Sequence, residues 1–134
     1  MRIKDMMKTD LFVLNENDTI KDASDIMRLE KIRHIPIVDA QHRLIGLVTH
    51  RDLIGALVKK LENFPVKNIM QKEVKAVEPD TPLKGAIDVM IINKFGCLPV
   101  VDADRKLIGI VTEIDLLKTL YEITAMPTDF YVTK

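Results

Sequence analysis

The sequence has one cysteine, no tryptophan, and no excess of charge of either sign. Twenty basic and twenty acidic side chains balance each other, so net charge does not draw the protein to nucleic acid or to an anionic membrane. A single cysteine, Cys97, excludes an internal disulfide, as is usual in a reducing compartment. No apolar run approaches the roughly 18 residues of a membrane helix. We therefore expect a cytoplasmic protein that binds neither nucleic acid nor membrane.

What the sequence does contain is a tandem repeat. The run LIGLVTHRDL at 44–53 is repeated as LIGIVTEIDL at 107–116. Met7 and Met70 are separated by the same number of residues as Gly46 and Gly109. An ungapped register over so much of the chain indicates a duplicated supersecondary unit. Two halves of about 60 residues would each be marginally stable alone, so we expect them to share one core.

Each half predicts the element order β-α-β-β-α. In the first half, a short strand at 11–14 precedes a helix from Ile20, a hairpin with strands at 35–38 and 44–48, and a helix that Thr49 opens. The fold class predicted is α/β, of the α+β type.

The second half repeats this order, with a short strand at 74–77, a helix after Pro82, and a hairpin with strands at 98–101 and 107–111. Apolar residues at helical spacing predict one buried face on the last helix of each half. Those residues are Leu53, Ile54, Leu57, Val58 and Leu61 in the first half and Leu116, Leu117, Leu120 and Tyr121 in the second. We place the repeats at 1–61 and 69–121, the linker at 62–68 and an unmatched tail at 122–134.

The segment from Gly46 to Asp52 runs from a strand directly into a helix, and it has two interpretations. T-x-x-D is a variant of the capping box, in which Thr49 and Asp52 satisfy backbone N–H groups and do nothing more. A helix N-terminus is also a place where a phosphate binds, and an ionised aspartate accepts hydrogen bonds from a ribose diol. The second interpretation is a nucleotide site, with Gly46 letting the ligand or a neighbouring strand approach the backbone.

Both halves resemble CBS domains, and together they resemble a CBS pair, or Bateman module. The motifs that carry the resemblance are IPIVD at 35–39 with LIGLVTHRDL, and LPVVD at 98–102 with LIGIVTEIDL. The resemblance covers residues 1 to about 121. It implies two units packed through their sheets about a pseudo-twofold axis, with two clefts between them, and a disc-shaped homodimer of four repeats.

The resemblance also implies a regulatory adenosyl ligand in these clefts: AMP, ADP, ATP or S-adenosylmethionine. Asp52 and Asp115 would hold ribose hydroxyls, and Thr49 and Thr112 would contact phosphate or ribose. Backbone near the two proline motifs would line the adenine pocket, and the segments after Met7 and Met70 would close the clefts. The full set of predicted ligand-binding residues is Lys8, Thr9, Asp10, Arg33, His34, Ile35, Pro36, Thr49, His50, Arg51, Asp52, Gln71, Lys72, Gly96, Cys97, Leu98, Pro99, Thr112 and Asp115.

The two halves differ in local charge. Arg33, His34, His50 and Arg51 surround the first motif, and these cations suit a phosphate chain. The corresponding positions of the second half are Phe95, Gly96, Glu113 and Ile114. We therefore predict that the first cleft binds phosphorylated nucleotide more tightly. The competing interpretation is that Arg33 and Arg51 are ordinary solvated charges.

The sequence gives little support for a metal site or a catalytic one. The three histidines show no i, i+4 pair, and the sole cysteine lies in the other half, so we expect no metal. Cys97 beside a proline is typical of a small buried residue, as are Met27 and Met90 on the apolar stripes. We predict a non-enzymatic sensor, with a role such as energy sensing, that signals by a change of shape or association. The alternatives are a ligand-free dimerisation or docking platform and, least favoured, an enzyme that turns over nucleotide.

Overall fold

The computed structural model describes residues 1–125, which form two half-molecules of like topology. The first half contains β1 (Leu14–Asn15), α1 (Ile20–Glu30), β2 (His34–Val38), β3 (Leu44–Thr49) and α2 (His50–Val58). The second half contains α3 (Leu83–Asn93), β4 (Cys97–Val101), β5 (Leu107–Thr112) and α4 (Glu113–Thr124). The predicted α+β architecture is confirmed. Residues 126–134, most of the predicted tail, lie outside the described residues.

Both predicted hairpins are present, with β2 antiparallel to β3 and β4 antiparallel to β5. Their turns use a left-handed backbone at equivalent positions, with φ of 64° at His42 and at Arg105. Strand alternation sends Ile35 and Leu98 into the core beneath the helices. The neighbouring prolines of each strand are equally buried, on the opposite face, where the two halves meet.

The short strands predicted at 11–14 and 74–77 are wrong in extent. Only Leu14–Asn15 forms a strand, parallel to β2, and the segment at 74–77 makes one bridge, from Val77 to Val100. Leu11 and Val74 instead pack between the halves, against the hydrophobic clusters there. Side-chain burial rather than a hydrogen-bonded ladder holds these segments, so their apolar character gave a misleading strand signal.

The segment that precedes each half packs on the core of the other half, so the two segments are exchanged. Ile3 is fully buried in the cluster of the second half, and Lys8 exchanges two backbone hydrogen bonds of 3.0 Å with Ile110. The predicted linker does the same for the first half, where Val66 is fully buried and Gln71 exchanges bonds of 2.8 and 2.9 Å with Leu47. The sequence boundaries at 61 and 68 stay predictions, but residues 1–8 lie in space with the second half.

Gly46 and Gly109 make this packing fit. A Cβ on Gly46 would lie 2.5 Å from Sδ of Met70, and a Cβ on Gly109 would lie 2.6 Å from Sδ of Met7. Backbone carbonyls of the same two segments would be 3.1 and 3.0 Å away. The glycines therefore admit a neighbouring segment, which is one of the two roles predicted for Gly46.

A second set of contacts joins the two hairpins. Leu44 N–H donates to the Arg105 carbonyl and Leu107 N–H donates to the His42 carbonyl, both at 3.0 Å. Beneath these bonds lies a small cluster formed by Val38, Leu44, Val101 and Leu107. The halves thus share a buried seam, as expected for two units that are too small to be stable alone.

The apolar faces predicted for the last helix of each half are largely exposed. Leu53 is buried, but Leu57, Val58, Leu117 and Leu120 are 37 to 77% exposed. Each helix packs on its sheet through a narrower stripe than the periodicity indicates, because its remaining apolar residues face outward. The prediction that these residues line the core of the single chain is therefore wrong.

We expect Gly46→Ala to destabilise the protein by about 1–3 kcal/mol, because the added methyl group collides with Met70 and the neighbouring backbone. Gly55→Ala is the matched control. Its Cβ meets nothing within 4 Å and it lies in α2, so the change should stabilise by roughly 0.5–1 kcal/mol. Urea unfolding of the two variants measures both effects, and equal midpoints would contradict the packing described.

Candidate functional site

Each T-x-x-D motif forms the capping box predicted for it. Thr49 Oγ1 accepts from Asp52 N–H at 3.3 Å, and Asp52 Oδ2 accepts from Thr49 N–H at 3.1 Å. The box of Thr112 and Asp115 has distances of 3.3 and 2.9 Å. In both, the threonine hydroxyl also donates to the carboxylate at 2.9 Å. The capping interpretation is therefore correct, and what sets these boxes apart is where they lie.

The first box lies in a cleft of about 630 Å³, a volume suited to a small ligand. Thr49, Asp52 and Gln71 line the cleft from one side, and Gly96 and Cys97 line it from the second half. We call it the Asp52 cleft.

The second box lies beside a larger cleft of about 1120 Å³, which we call the Asp115 cleft. Lys8, Thr9 and Asp10 line it together with Thr112, and residues 32–34 with Pro36, from the first half, form the opposite side. Each cleft is therefore built by both halves. The exchanged segments place the residues after Met7 at the Asp115 cleft and those after Met70 at the Asp52 cleft.

Most predicted site residues lie at one of the two clefts. The Asp52 cleft brings together Arg33, His34, Thr49, His50, Arg51, Asp52, Gln71, Gly96 and Cys97. The Asp115 cleft brings together Lys8, Thr9, Asp10, Arg33, His34, Pro36, Gly96 and Thr112. The residues that line neither are Ile35, Lys72, Leu98, Pro99 and Asp115. Ile35 and Leu98 point into the cores, and Asp115, 6% exposed, lies beneath Lys8.

The two carboxylates differ in what covers them. Lys8 Nζ lies 3.3 Å from Asp115 Oδ1, whereas at the equivalent place Gln71 Nε2 donates to Asp52 Oδ2 at 3.2 Å. Within residues 1–125, nothing donates to Oδ1 of Asp52. Asp52 thus keeps an oxygen ready to accept a hydrogen bond, and the corresponding oxygen of Asp115 faces an ammonium group.

The structure changes the charge comparison made from the sequence. Arg33 lines both clefts, and the Asp115 cleft also has Lys8, Lys31 and Lys118 at its walls. Lys8 was among the predicted site residues, whereas Lys31 at the end of α1 and Lys118 in α4 were not. Tighter phosphate binding in the first cleft stays a prediction, but the lack of local charge no longer supports it.

Sequence reasoning also missed Lys75 and Lys94 at the Asp52 cleft and Glu113 at both clefts. Lys94 occupies the left-handed position that ends α3, with φ of 58°, and its repeat equivalent Lys31 ends α1 with φ of 56°. A positively charged residue at the same place in both repeats was the available signal.

Burial shifts the pKa values of two groups that face the clefts. Desolvation lowers the pKa of His34; the Glu113 carboxylate opposes this shift, and the charge of Arg33 adds to it. Desolvation raises the pKa of the Cys97 thiol to about 12, with a further contribution from Glu113. A thiol so protonated is a poor nucleophile, which agrees with the prediction that Cys97 is a small buried residue.

No group of three or more histidine, cysteine or carboxylate side chains is arranged to hold a metal ion within residues 1–125. No helix in the same range has the length and hydropathy needed to cross a bilayer.

Comparison with protein families identifies the fold and the motifs together. The family model of the CBS domain matches this chain twice, at residues 3–59 and 66–122. The chain belongs to the CBS-domain family. An uncharacterized 17.7 kDa protein from Acidianus ambivalens is 32% identical over 93% of this chain and 76% of its own length.

Enzymes among the relatives match only in part. A homoserine O-acetyltransferase of Methanohalobium evestigatum is 33% identical over 90% of this chain, which spans 24% of that enzyme. The similarity of this chain is therefore to a CBS portion of a larger protein.

Solved CBS pairs share the whole described architecture. The CBS pair of protein MJ0100, in complex with 5′-methylthioadenosine and S-adenosylmethionine, has a TM-score of 0.85 at 27% identity, covering 92% of this chain and 98% of that one. The protein CBSX2, in complex with AMP, has a TM-score of 0.84 at 28% identity over the same shares. The fold and the recognition as a CBS pair are confirmed.

His34 provides a test of the cleft electrostatics. Because its pKa is lowered from 6.5, the unfolded chain binds more protons than the folded one as pH falls below about 6.5. The free energy of unfolding should therefore decrease from pH 7.5 towards the lowered pKa, and His34→Gln should reduce this slope. An NMR titration of His34 should give a midpoint below 6.5; a midpoint above it would contradict the burial described.

Proposed function

We propose that this CBS pair is a non-catalytic regulatory module that binds an adenosyl ligand in its clefts. One observation carries the proposal: twin threonine and aspartate capping boxes lie at clefts that both repeats build. A ligand held there touches both repeats at once. Its binding therefore depends on their relative position, which is what a shape-changing sensor requires.

The chemistry of the Asp52 cleft suits a nucleotide. The partial positive charge at the start of α2 favours a phosphate, although the His50 and Asp52 N–H groups already donate to the Arg33 carbonyl and to Thr49. The uncovered Oδ1 of Asp52 suits a ribose hydroxyl, and Leu47 and Cys97 supply apolar surface. The Asp115 cleft has the equivalent helix start, but its aspartate is buried and already pairs with Lys8.

The ligand class follows from the charges and from the neighbours. MJ0100 holds S-adenosylmethionine and 5′-methylthioadenosine, and CBSX2 holds AMP. In this chain Arg33, Arg51, Lys75 and Lys94 line the Asp52 cleft, and such cations favour a ligand that carries phosphate. We propose AMP, ADP or ATP in preference to S-adenosylmethionine. A cytoplasmic role as an energy sensor would fit these ligands.

We also propose that the module forms a homodimer of four CBS repeats. The exposed apolar residues of α2 and α4 fall at equivalent positions, since Leu57 corresponds to Leu120 and Ile54 to Leu117. An outward apolar face of this kind on two symmetric helices is typical of an interaction surface. The same faces favour the second candidate function, a docking platform for another protein that operates without nucleotide.

The decisive experiment is calorimetric titration with AMP, ADP, ATP and S-adenosylmethionine. Asp52→Asn and Asp115→Asn should each weaken nucleotide binding in one cleft about ten- to hundredfold, the first because it removes a charged hydrogen-bond acceptor and the second because it releases Lys8 from its place at the cleft. Asp22→Asn is the matched control. Asp22 forms the same capping box with Thr19 at the start of α1, far from either cleft, so this variant should bind as wild type does.

If wild-type protein bound none of the four compounds, the sensor proposal would fail and the docking platform would be the better account. Equal losses in the Asp52 and Asp22 variants would show that the capping box, rather than the cleft, is responsible.

The dimer is tested separately by light scattering after chromatography. The double change Leu57→Lys and Leu120→Lys should convert a dimer to a monomer, because it buries two charges in an apolar contact. Phe64→Lys, at a half-exposed site outside these helices, should leave the dimer intact. A dimer that survives the double change would refute this surface as the interface.

A further inference from the structure

The two clefts share a wall. Arg33, His34, Gly96 and Glu113 line both of them, so a single group of side chains faces a ligand on each side. The wall combines the residue before β2 and the first residue of β2 with the residue before β4 and the first residue of α4. Arg33 and Gly96 are equivalent positions of the two repeats, so the composition of the wall is not symmetric.

The wall is thin at Gly96. A Cβ at that position would lie 3.0 Å from Nε2 of His34 and 3.1 Å from Oε1 of Glu113, so the imidazole and the carboxylate occupy the space beside the glycine. Glu113 N–H donates to the Gly96 carbonyl at 3.1 Å and fixes the start of α4 against the wall.

Charge is distributed unequally between the wall and the outer parts of the clefts. Lys75 and Lys94 line only the Asp52 cleft, and Lys8 and Lys118 line only the Asp115 cleft. Arg33 is the one lysine or arginine common to both linings in the described part of the chain. Its side chain is exposed and forms no salt bridge within residues 1–125, so its guanidinium is free to pair with an anion on either side.

We propose that the clefts bind phosphate-bearing ligands antagonistically, because Arg33 serves both clefts and Glu113 faces both. The inference rests on the proposed function and adds the regulation of the site. A guanidinium that pairs with a phosphate in one cleft is withdrawn from the other, where the Glu113 carboxylate is then less compensated. A neutral adenosyl ligand does not form an ion pair with Arg33, so it is compatible with a phosphorylated ligand in the other cleft.

The expected size of this antagonism is about tenfold in affinity, within the usual range of coupling between two sites. Coupling is reciprocal, so each cleft reduces the affinity of the other by the same factor. The protein would then respond to a mixture of charged and neutral adenosyl compounds differently from either alone.

The experiment measures AMP binding to each cleft alone and to both together. Asp115→Asn shifts most of the binding to the Asp52 cleft and Asp52→Asn shifts most of it to the Asp115 cleft, because each change weakens its own cleft; we call these the single-cleft proteins. The product of the two single-cleft dissociation constants, compared with the corresponding product for wild type, gives the coupling factor free of any intrinsic difference between clefts. Adenosine, titrated in the same way, is the uncharged control.

Arg33→Leu tests the residue that carries the coupling, and Arg51→Leu is its matched control because Arg51 lines only the Asp52 cleft. Arg33→Leu should weaken AMP binding in both single-cleft proteins, whereas Arg51→Leu should weaken it only in Asp115→Asn. In the wild-type background Arg33→Leu should bring the AMP coupling factor close to that of adenosine.

The proposal is supported by AMP coupling of about tenfold, together with little coupling for adenosine. It is overturned by independent AMP binding, by equal coupling for AMP and adenosine, by an Arg33→Leu effect confined to one cleft, or by single-cleft proteins of which only one binds AMP. These outcomes leave the proposed function standing. Absence of binding by any protein would remove both.

Discussion

The structure depends on one close contact made twice: a methionine from the segment that precedes each repeat lies against a glycine on the second strand of a hairpin. Met7 on Gly109 and Met70 on Gly46 bring the following residues into hydrogen-bonding register with β5 and β3. Those residues, Lys8 and Gln71, then cover the two aspartates of the capping boxes. Packing of a sulfur atom over a residue without a side chain thereby sets the geometry of both clefts.

The repeat made most of the fold predictable. Two hairpins and four helices follow from turn residues, prolines and apolar periodicity, and the duplicated register gave each element a second, independent example. The short strands and the burial of α2 and α4 were misjudged for a common reason. The apolar residues at 11–14 and 74–77 are partly buried between the halves, and those along the two helices are largely exposed. Apolar periodicity predicts an apolar face but not the element against which that face packs.

The sequence predicted the parts of the site that lie in one contiguous motif, but not the parts that tertiary packing brings together. Thr49 with Asp52 forms a contiguous motif, so its capping geometry and its place at a helix start could be read directly. Arg33 could be read as a cation beside that motif, but not as a residue of both clefts, because this depends on how the halves pack. Lys31, Lys94 and Lys118 reach the clefts only through tertiary contacts, which no spacing rule encodes.

The exchanged segments bear on how a protein of this form arises. The core of each repeat is closed by a segment that precedes the other repeat. A single repeat with this geometry could therefore not close its own core. Two separate copies would supply it to each other as an intertwined pair, whose stability depends on concentration. Joining the copies in one polypeptide turns the exchange into an intramolecular event at high effective concentration. Covalent duplication thus makes permanent an association that separate copies would form only reversibly.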